Sequence, residues 1–166
     1  EWFDFPALGH RYMDVTYYPN QDDNDKTVGA VINCRDLTER KKSEDALRES
    51  TERFRTAVIN APYQIMLHAE GGEILQLSKS WTEITGYTHE EIPNTFEWAK
   101  RAYGKAELDE DAIEAINSAY KLKGRERQDD GVWPVITKSG EMRYWDFSTT
   151  QLGALSDGRN LVITMA

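Results

Sequence analysis

Only one cysteine, Cys34, occurs in the 166 residues, which excludes an intrachain disulfide and a cysteine-based zinc site. No apolar run approaches the ~20 residues that a membrane-spanning helix needs, and no signal-peptide pattern opens the chain. No membrane contact is expected from this piece, which reads as cytoplasmic. Positive charge is scarce too: 20 Lys and Arg stand against 29 Asp and Glu, for a net charge of -9. Nucleic acid and anionic membranes need clustered basic residues, so neither is expected as a partner. The nearest approach to a basic cluster, Lys121, Lys123, Arg125 and Arg127, alternates at period two after a helix and reads as solvated loop.

Catalytic patterns are missing as well. No nucleophile sits in a motif with a base, and Gly71-Gly72 lies between strands rather than before a phosphate-binding helix. Asn20–Gly29 resembles a calcium loop in composition, but its sixth place is Asp25 rather than glycine and no acid falls at the twelfth. The three histidines, His10, His68 and His89, fall in a turn, a strand and a surface segment, far from one another in sequence. No catalytic residue and no metal site is expected, so the chain is not itself an enzyme.

What is present is strand-rich sequence at both ends. Trp2–Phe5, Arg11–Tyr18 and Thr27–Cys34 are aromatic or β-branched and are separated by Pro6–Gly9 and Pro19–Lys26. Three strands without a helix cannot cover both faces of a sheet. This meander, 1–36, is expected to close a domain that begins upstream and to pack against another chain or the second sheet.

Residues 37–61 hold no proline or glycine, are heavily charged, and place Ala46, Leu47, Phe54, Ala57, Val58 and Ala61 near helical spacing. Glu44 with Arg48, and Glu49 with Arg53, stand at i,i+4 in the favourable order. The apolar stripe is thin, so Leu47 and Phe54 are the expected seam with a partner helix; a lone solvated linker is the alternative. At the start of this helix Asp36 can cap the first free N–H groups, with Thr38 beside it and Glu39 at capping-box spacing. Asp36, Thr38 and Glu39 would thereby couple strand to helix.

Residues 62–166 read as Tyr63–Ala69, a two-residue Gly71-Gly72 turn and Glu73–Leu77, then short helices at Lys79–Thr85 and Thr95–Tyr103. The clearest helix is Asp109–Leu122, with Ile113, Ile116, Asn117 and Tyr120 on one face. Three strands follow, at Val132–Thr137, Glu141–Leu152 and Asn160–Met165. This closing trio repeats the architecture of 1–36, and Arg11-Tyr12-Met13-Asp14 answers Arg143-Tyr144-Trp145-Asp146.

The chain resembles the PAS (Per-Arnt-Sim) sensory family at three in-order segments. Arg35-Asp36-Leu37-Thr38-Glu39-Arg40 is similar to its terminal Asp-Ile-Thr-Glu-Arg signature. Ile84-Thr85-Gly86-Tyr87-Thr88-His89-Glu90-Glu91-Ile92 is similar to its Leu-Thr-Gly-Tyr-Ser-x-Glu-Glu-Leu segment, and Thr137-Lys138-Ser139-Gly140 with the strand after it to its Lys-Asp-Gly turn. Two departures stand out: Ser78 replaces a common asparagine, and Pro93-Asn94 a common glycine.

The resemblance implies an α+β fold in which a five-stranded antiparallel sheet carries short helices on one face and a central pocket between them. The expected division is the closing strands of one PAS domain at 1–36, a connecting signalling helix at 37–61 and a second PAS domain at 62–166. A pocket would gather Ile65, Leu67, Trp81, Ile84, Trp98, Ile113, Ile116, Asn117, Tyr120, Trp145 and Thr149 around a small-molecule ligand; equally, these aromatics could simply fill the space. Flavin chemistry at Asn33-Cys34-Arg35 is not expected, because in light-sensing members that triplet lies on a helix and here it ends a strand. Haem is not expected either, since Asp109–Leu122 lacks the histidine of haem-binding members.

The resemblance further implies a non-catalytic sensory and signal-transmission module. It would be a homodimer through the linker helix or the PAS sheet, upstream of an output domain. The expected parent is a sensor histidine kinase; a diguanylate cyclase parent and a ligand-free dimerisation module are the alternatives.

Overall fold

The structure, a computed structural model, describes residues 1–104, 110–122 and 127–166. The chain divides into two compact units, Glu1–Arg53 and Phe54–Ala166. In the first, β1 (Trp2–Phe5), β2 (Gly9–Gln21) and β3 (Thr27–Asp36) form an antiparallel meander in the order β1-β2-β3. Helix α1 (Thr38–Ile59) follows, and the division between the units falls within it. Its ion pairs differ in part from the sequence pattern. Glu49 meets Arg53 at 2.8 Å as expected, but Glu44 turns back to Arg40 at 2.8 Å, and Arg48 meets Asp45 at 3.4 Å. All are exposed, and pairs of this kind contribute little.

The second unit contains β4 (Ile65–Ala69), β5 (Ile74–Leu77), α2 (Lys79–Thr85), α3 (Thr95–Ala102), α4 (Glu110–Ala119), β6 (Arg127–Ile136), β7 (Met142–Ala154) and β8 (Asn160–Met165). Its five strands pair antiparallel in the order β5-β4-β8-β7-β6. Asp109, the first residue expected for the α4 helix, and Lys123 and Arg125 lie outside the described residues. No helix among the described residues is long and apolar enough to cross a membrane.

Local chemistry explains the ends of these elements. Ser78 caps α2: its hydroxyl accepts from Trp81 N–H at 3.2 Å and from Ile65 N–H at 3.0 Å, and donates to Tyr63 C=O at 2.9 Å. One side chain thus starts the helix and fixes the entry of β4. Gly86 ends α2 in the left-handed conformation, φ 77°, with its N–H on Thr82 C=O. Asn94 caps α3 through Glu97 N–H at 2.8 Å. Both departures from the family pattern, Ser78 and Asn94, are therefore helix caps.

The β4–β5 connection is longer than the expected two residues. Ala69 N–H donates to Glu73 C=O and Gly72 N–H to Ala69 C=O, enclosing Glu70-Gly71-Gly72. Gly72 has φ +92°, and a Cβ there would lie 2.8 Å from both Phe96 Cε2 and Thr95 Oγ1. Gly71 has a similar φ of +91° but open space around it. Gly72→Ala is expected to cost about 1–3 kcal/mol of stability, visibly more than Gly71→Ala, in thermal denaturation of the two variants. Equal losses would show that backbone strain alone matters.

The core of the second unit is aromatic. Trp81 is fully buried (0 % exposed) and meets Trp98 at 4.8 Å and Trp145 at 5.1 Å between ring centroids, both edge-to-face. Met66, Ile74, Leu77, Ile92, Val135 and Phe147 complete the cluster. Edge-to-face packing sets the positive ring edge against the negative face and adds about 0.5–1.5 kcal/mol per pair to the burial term.

The two meanders share one register. Trp2↔Tyr12 corresponds to Pro134↔Tyr144, and Tyr17↔Ile32 to Thr149↔Thr164, each at a numbering shift of 132 (Tyr12 to Tyr144). The connecting turns match too. Asp22 N–H reaches Lys26 C=O and Asp25 N–H returns to Asp22 C=O, as Leu155 N–H reaches Arg159 C=O and Gly158 N–H returns to Leu155 C=O. Asp25 and Gly158 both take a positive φ, 59° and 86°. Between turn and strands each hairpin carries one bulge, with Val28 as the extra residue in β3 and Leu152 in β7.

Candidate functional site

A cavity of ≈ 80 Å³ lies within the second unit. Its wall takes Met66 and His68 from β4, Trp81 from α2, Thr95 and Trp98 from α3, Tyr103 after α3, Ala115, Ile116 and Ala119 from α4, Asp130 and Trp133 from β6, Phe147 and Thr149 from β7, and Thr164 from β8. Of the residues expected to line a pocket, Trp81, Trp98, Ile116 and Thr149 do so.

The others are placed differently, for identifiable reasons. Ile65 and Leu67 alternate with Met66 and His68 along β4 and therefore point to the opposite side of the sheet. On α4 the inward face centres on Ile116 and Ala119, which leaves Asn117 exposed and Ile113 half-buried. Trp145 and Ile84 belong to the packed aromatic cluster. Tyr120 is buried with Ala119 and Val162 and reaches the cavity wall through His68.

Asp130 enters the site through backbone geometry. On β6, Asp129 pairs with Ser148 and Gly131 with Phe147, two consecutive residues of β7, so Asp130 is the extra residue of a bulge. Such a bulge re-aims one side chain. The Asp130 carboxylate accepts from Thr149 Oγ1 at 2.5 Å and from Gln128 Nε2 at 2.7 Å, while its C=O accepts from Trp133 Nε1 at 2.8 Å. β6 is an edge strand, which also accommodates Pro134 opposite Tyr144.

From Asp130 a chain of hydrogen bonds crosses the sheet. Thr149 Oγ1 lies 3.1 Å from Thr164 Oγ1, Thr164 Oγ1 lies 2.9 Å from His68 Nε2, and His68 Nδ1 lies 2.8 Å from Tyr120 Oη. Its direction follows from donor inventory. An ionised carboxylate only accepts, so Thr149 donates to Asp130 and must accept from Thr164. Thr164 in turn accepts from His68 Nε2–H, which leaves Nδ1 to accept from the Tyr120 hydroxyl.

Electrostatics agree with this assignment. Burial drives the His68 pKa down to about 4, so the ring is neutral near pH 7, with one donor and one acceptor nitrogen. Burial also raises the Asp130 carboxyl above its ordinary value, against the hydrogen bonds from Thr149 and Gln128. It pushes the Tyr103 hydroxyl up to about 12, with a further contribution from the charge of Asp130, and the Tyr120 hydroxyl up to about 12. The sequence placed His68 in a strand without assigning it to the pocket; the alternation of β4 separates Met66 and His68 from Ile65 and Leu67 only once the strand is paired.

A second arrangement lies at the strand–helix junction of the first unit. Thr38 is buried (1 % exposed). Its hydroxyl donates to Asp36 Oδ1 at 2.5 Å and accepts from Tyr12 N–H at 2.9 Å, while Thr38 N–H donates to the same Asp36 oxygen at 2.9 Å. Leu37 N–H donates to Tyr12 C=O at 2.8 Å. These Thr38 bonds hold the Asp36 carboxyl below its ordinary pKa, with Arg11 adding a weaker attraction from 3.9 Å. Glu39 does not complete a capping box: its carboxylate meets Lys42 Nζ at 3.3 Å. On α1, Leu47 and Phe54 are exposed, at 70 % and 52 %.

The fold formed by this sheet, its helices and its central cavity is the PAS fold. The PAS domain of an HTR-like protein from Haloarcula marismortui superposes with a TM-score of 0.55 at 16% identity, over 75% of this chain and 96% of that one. A domain of a sensory box sensor histidine kinase/response regulator from Geobacter sulfurreducens gives 0.51 at 20% identity, over 72% and 96%. The PAS domain of Bordetella pertussis BvgS gives 0.52 at 16%, over 70% and 84%. No protein-family model and no curated protein sequence matches the chain.

Proposed function

We propose that the chain is a sensory and signal-transmission module of a multidomain signalling protein. Residues 1–36 are the closing strands of a first PAS domain, α1 is the connecting helix, and 62–166 form the second PAS domain. The shared strand register of the two meanders supports this division. The observation that carries the function is the bonding of Leu37 and Thr38 to both backbone groups of Tyr12, with Asp36 holding Thr38 in place. A shift of β2 is passed through these bonds to the first turn of α1. The parent is a sensor histidine kinase in this reading, as one of the similar solved structures is by name a domain of a sensory box sensor histidine kinase/response regulator; a diguanylate cyclase would use the same coupling. A second copy would meet α1 along Leu47 and Phe54.

Thr38→Val tests the coupling. It removes the acceptor for Tyr12 N–H and the hydroxyl donor to Asp36, a loss of about 1–3 kcal/mol for buried groups. Amide exchange in the first turn of α1 and at Tyr12 should accelerate by roughly tenfold or more, with β4–β8 unchanged. Asp36→Ala in the full-length protein should alter output while the second PAS domain stays folded. Unchanged protection at α1 together with a normal output response would remove the coupling role.

One observation favours an interaction module as a second reading. Val132, Met142 and Tyr144, on β6 and β7, are exposed together on the side away from the aromatic cluster. That patch would serve a dimer contact with or without a ligand in the cavity.

A further inference from the structure

We propose that the cavity of the second unit takes a small organic monocation, an alkylammonium with a compact apolar body, held by the Asp130 carboxylate against the rings of Trp98 and Trp133. The inference rests on the sensory reading and gives its ligand a chemical class. It begins from the β6 bulge, which spends a strand residue to bring a carboxylate to a wall of otherwise uncharged side chains that includes Trp81, Trp98, Tyr103, Trp133 and Phe147. Each Asp130 oxygen accepts one hydrogen bond from protein, leaving a lone-pair direction on each.

Among the described residues no cationic side chain lies against that carboxylate, and the charge that acts on it is that of Asp129. Of the other titratable groups of the wall, His68 is bonded at both ring nitrogens and neutral, and Tyr103 keeps its proton, its hydroxyl being pushed up to about 12. An ammonium would complete the carboxylate's coordination and meet ring faces that attract cations. An anion would meet the charge of Asp130, and a neutral apolar molecule would desolvate the lone pairs of that carboxylate that the protein leaves free. Size is consistent: ≈ 80 Å³ is several times the roughly 10–15 Å³ that one water needs by the same kind of measure.

The test uses three probes of one shape on the whole chain: isopropylammonium, isopropanol and isobutyrate. Binding is read from the shifts of the tryptophan indole N–H resonances. Isopropylammonium should bind at least about tenfold more tightly than isopropanol, and isobutyrate should not bind. Asp130→Asn keeps shape and most hydrogen bonds, and should bring the amine and the alcohol to similar affinity; if that variant does not fold, the wild-type ratio alone decides. Equal or tighter binding of isopropanol, or binding of isobutyrate, overturns the monocation while leaving a ligand-binding PAS domain in place. Silence of every indole signal to all three probes overturns the monocation and the ligand-binding cavity together, whereas the coupling role stands or falls separately on Thr38→Val.

Discussion

Trp81→Ala is expected to lower the stability of the second unit by about 3–5 kcal/mol, the range for deleting a fully buried tryptophan. Few positions carry more. Trp81 is fully buried and touches Trp98, Trp145 and Phe147, so its loss removes two edge-to-face contacts and leaves a void between α2 and the sheet. A single domain is commonly stable by only about 5–15 kcal/mol, and so the variant should melt far below the wild type in circular dichroism or urea titration. Trp81→Phe should behave quite differently. Trp81 Nε1 is buried with no hydrogen-bond partner among the described residues, and an unsatisfied buried donor itself costs about 1–3 kcal/mol. Phenylalanine keeps a ring in the cluster and removes that donor, so its net loss should be less than half that of alanine. A loss under about 1 kcal/mol for Trp81→Ala would contradict the central position of this ring.

Acid should destabilise the same unit through His68. In the unfolded chain a histidine takes up its proton near 6.5, whereas folded His68 does so only near 4. Between those values the unfolded state binds more protons, so stability falls as pH falls. The contribution is fully present above the unfolded value and is lost progressively as pH drops through 6.5 toward 4. From pH 7 to pH 5 the expected loss is about 2 kcal/mol, measured as the free energy of unfolding in urea. His68→Gln, which retains one donor and one acceptor, should flatten the curve over this interval. Asp130 acts in the opposite sense, because its raised carboxyl pKa favours the folded state as it protonates. Within this unit the lowered carboxyls of Glu91 and Asp157 enter only as the pH falls into the ordinary carboxylate range and below. An equally steep fall in His68→Gln would assign the acid sensitivity to another group.

Much of the fold was legible because local chemistry and pattern agree. α2 covers the expected Lys79–Thr85 and is ended by the left-handed Gly86, and β-branched runs mark β3 and β8. The site was less legible. The expected strand began at Val132, with Arg127 read as solvated loop; in the structure β6 starts at Arg127 and runs through Asp129-Asp130-Gly131 with a bulge at Asp130. A bulge is set by pairing with the neighbouring strand, which no local propensity records. Along β4 the residues chosen for the pocket were Ile65 and Leu67, because both are apolar. The alternate residues, Met66 and His68, face inward, and a continuous run of buried side chains leaves parity undecided until strands are paired. On α4, the choice of Asn117 failed by one step of helix rotation. Glu39 has capping-box spacing, yet Thr38 already occupies the Asp36 carboxylate, and Lys42 attracts the Glu39 side chain outward.

The two hairpins β2–β3 and β7–β8 differ by one residue gained on one strand and one residue lost on the other, on either side of a turn of unchanged length. The two changes cancel like paired frameshifts. Beyond the bulges every cross-strand partner is restored, and with it the side of the sheet to which each residue points. A residue-by-residue alignment must open a gap in each strand to follow this, and will therefore understate the structural likeness of the two meanders. Val28 and Leu152 mark where the spare residue resides in each. A sheet can thus accept an insertion and a deletion in adjacent strands while conserving its inner surface, provided that the turn between them is left alone.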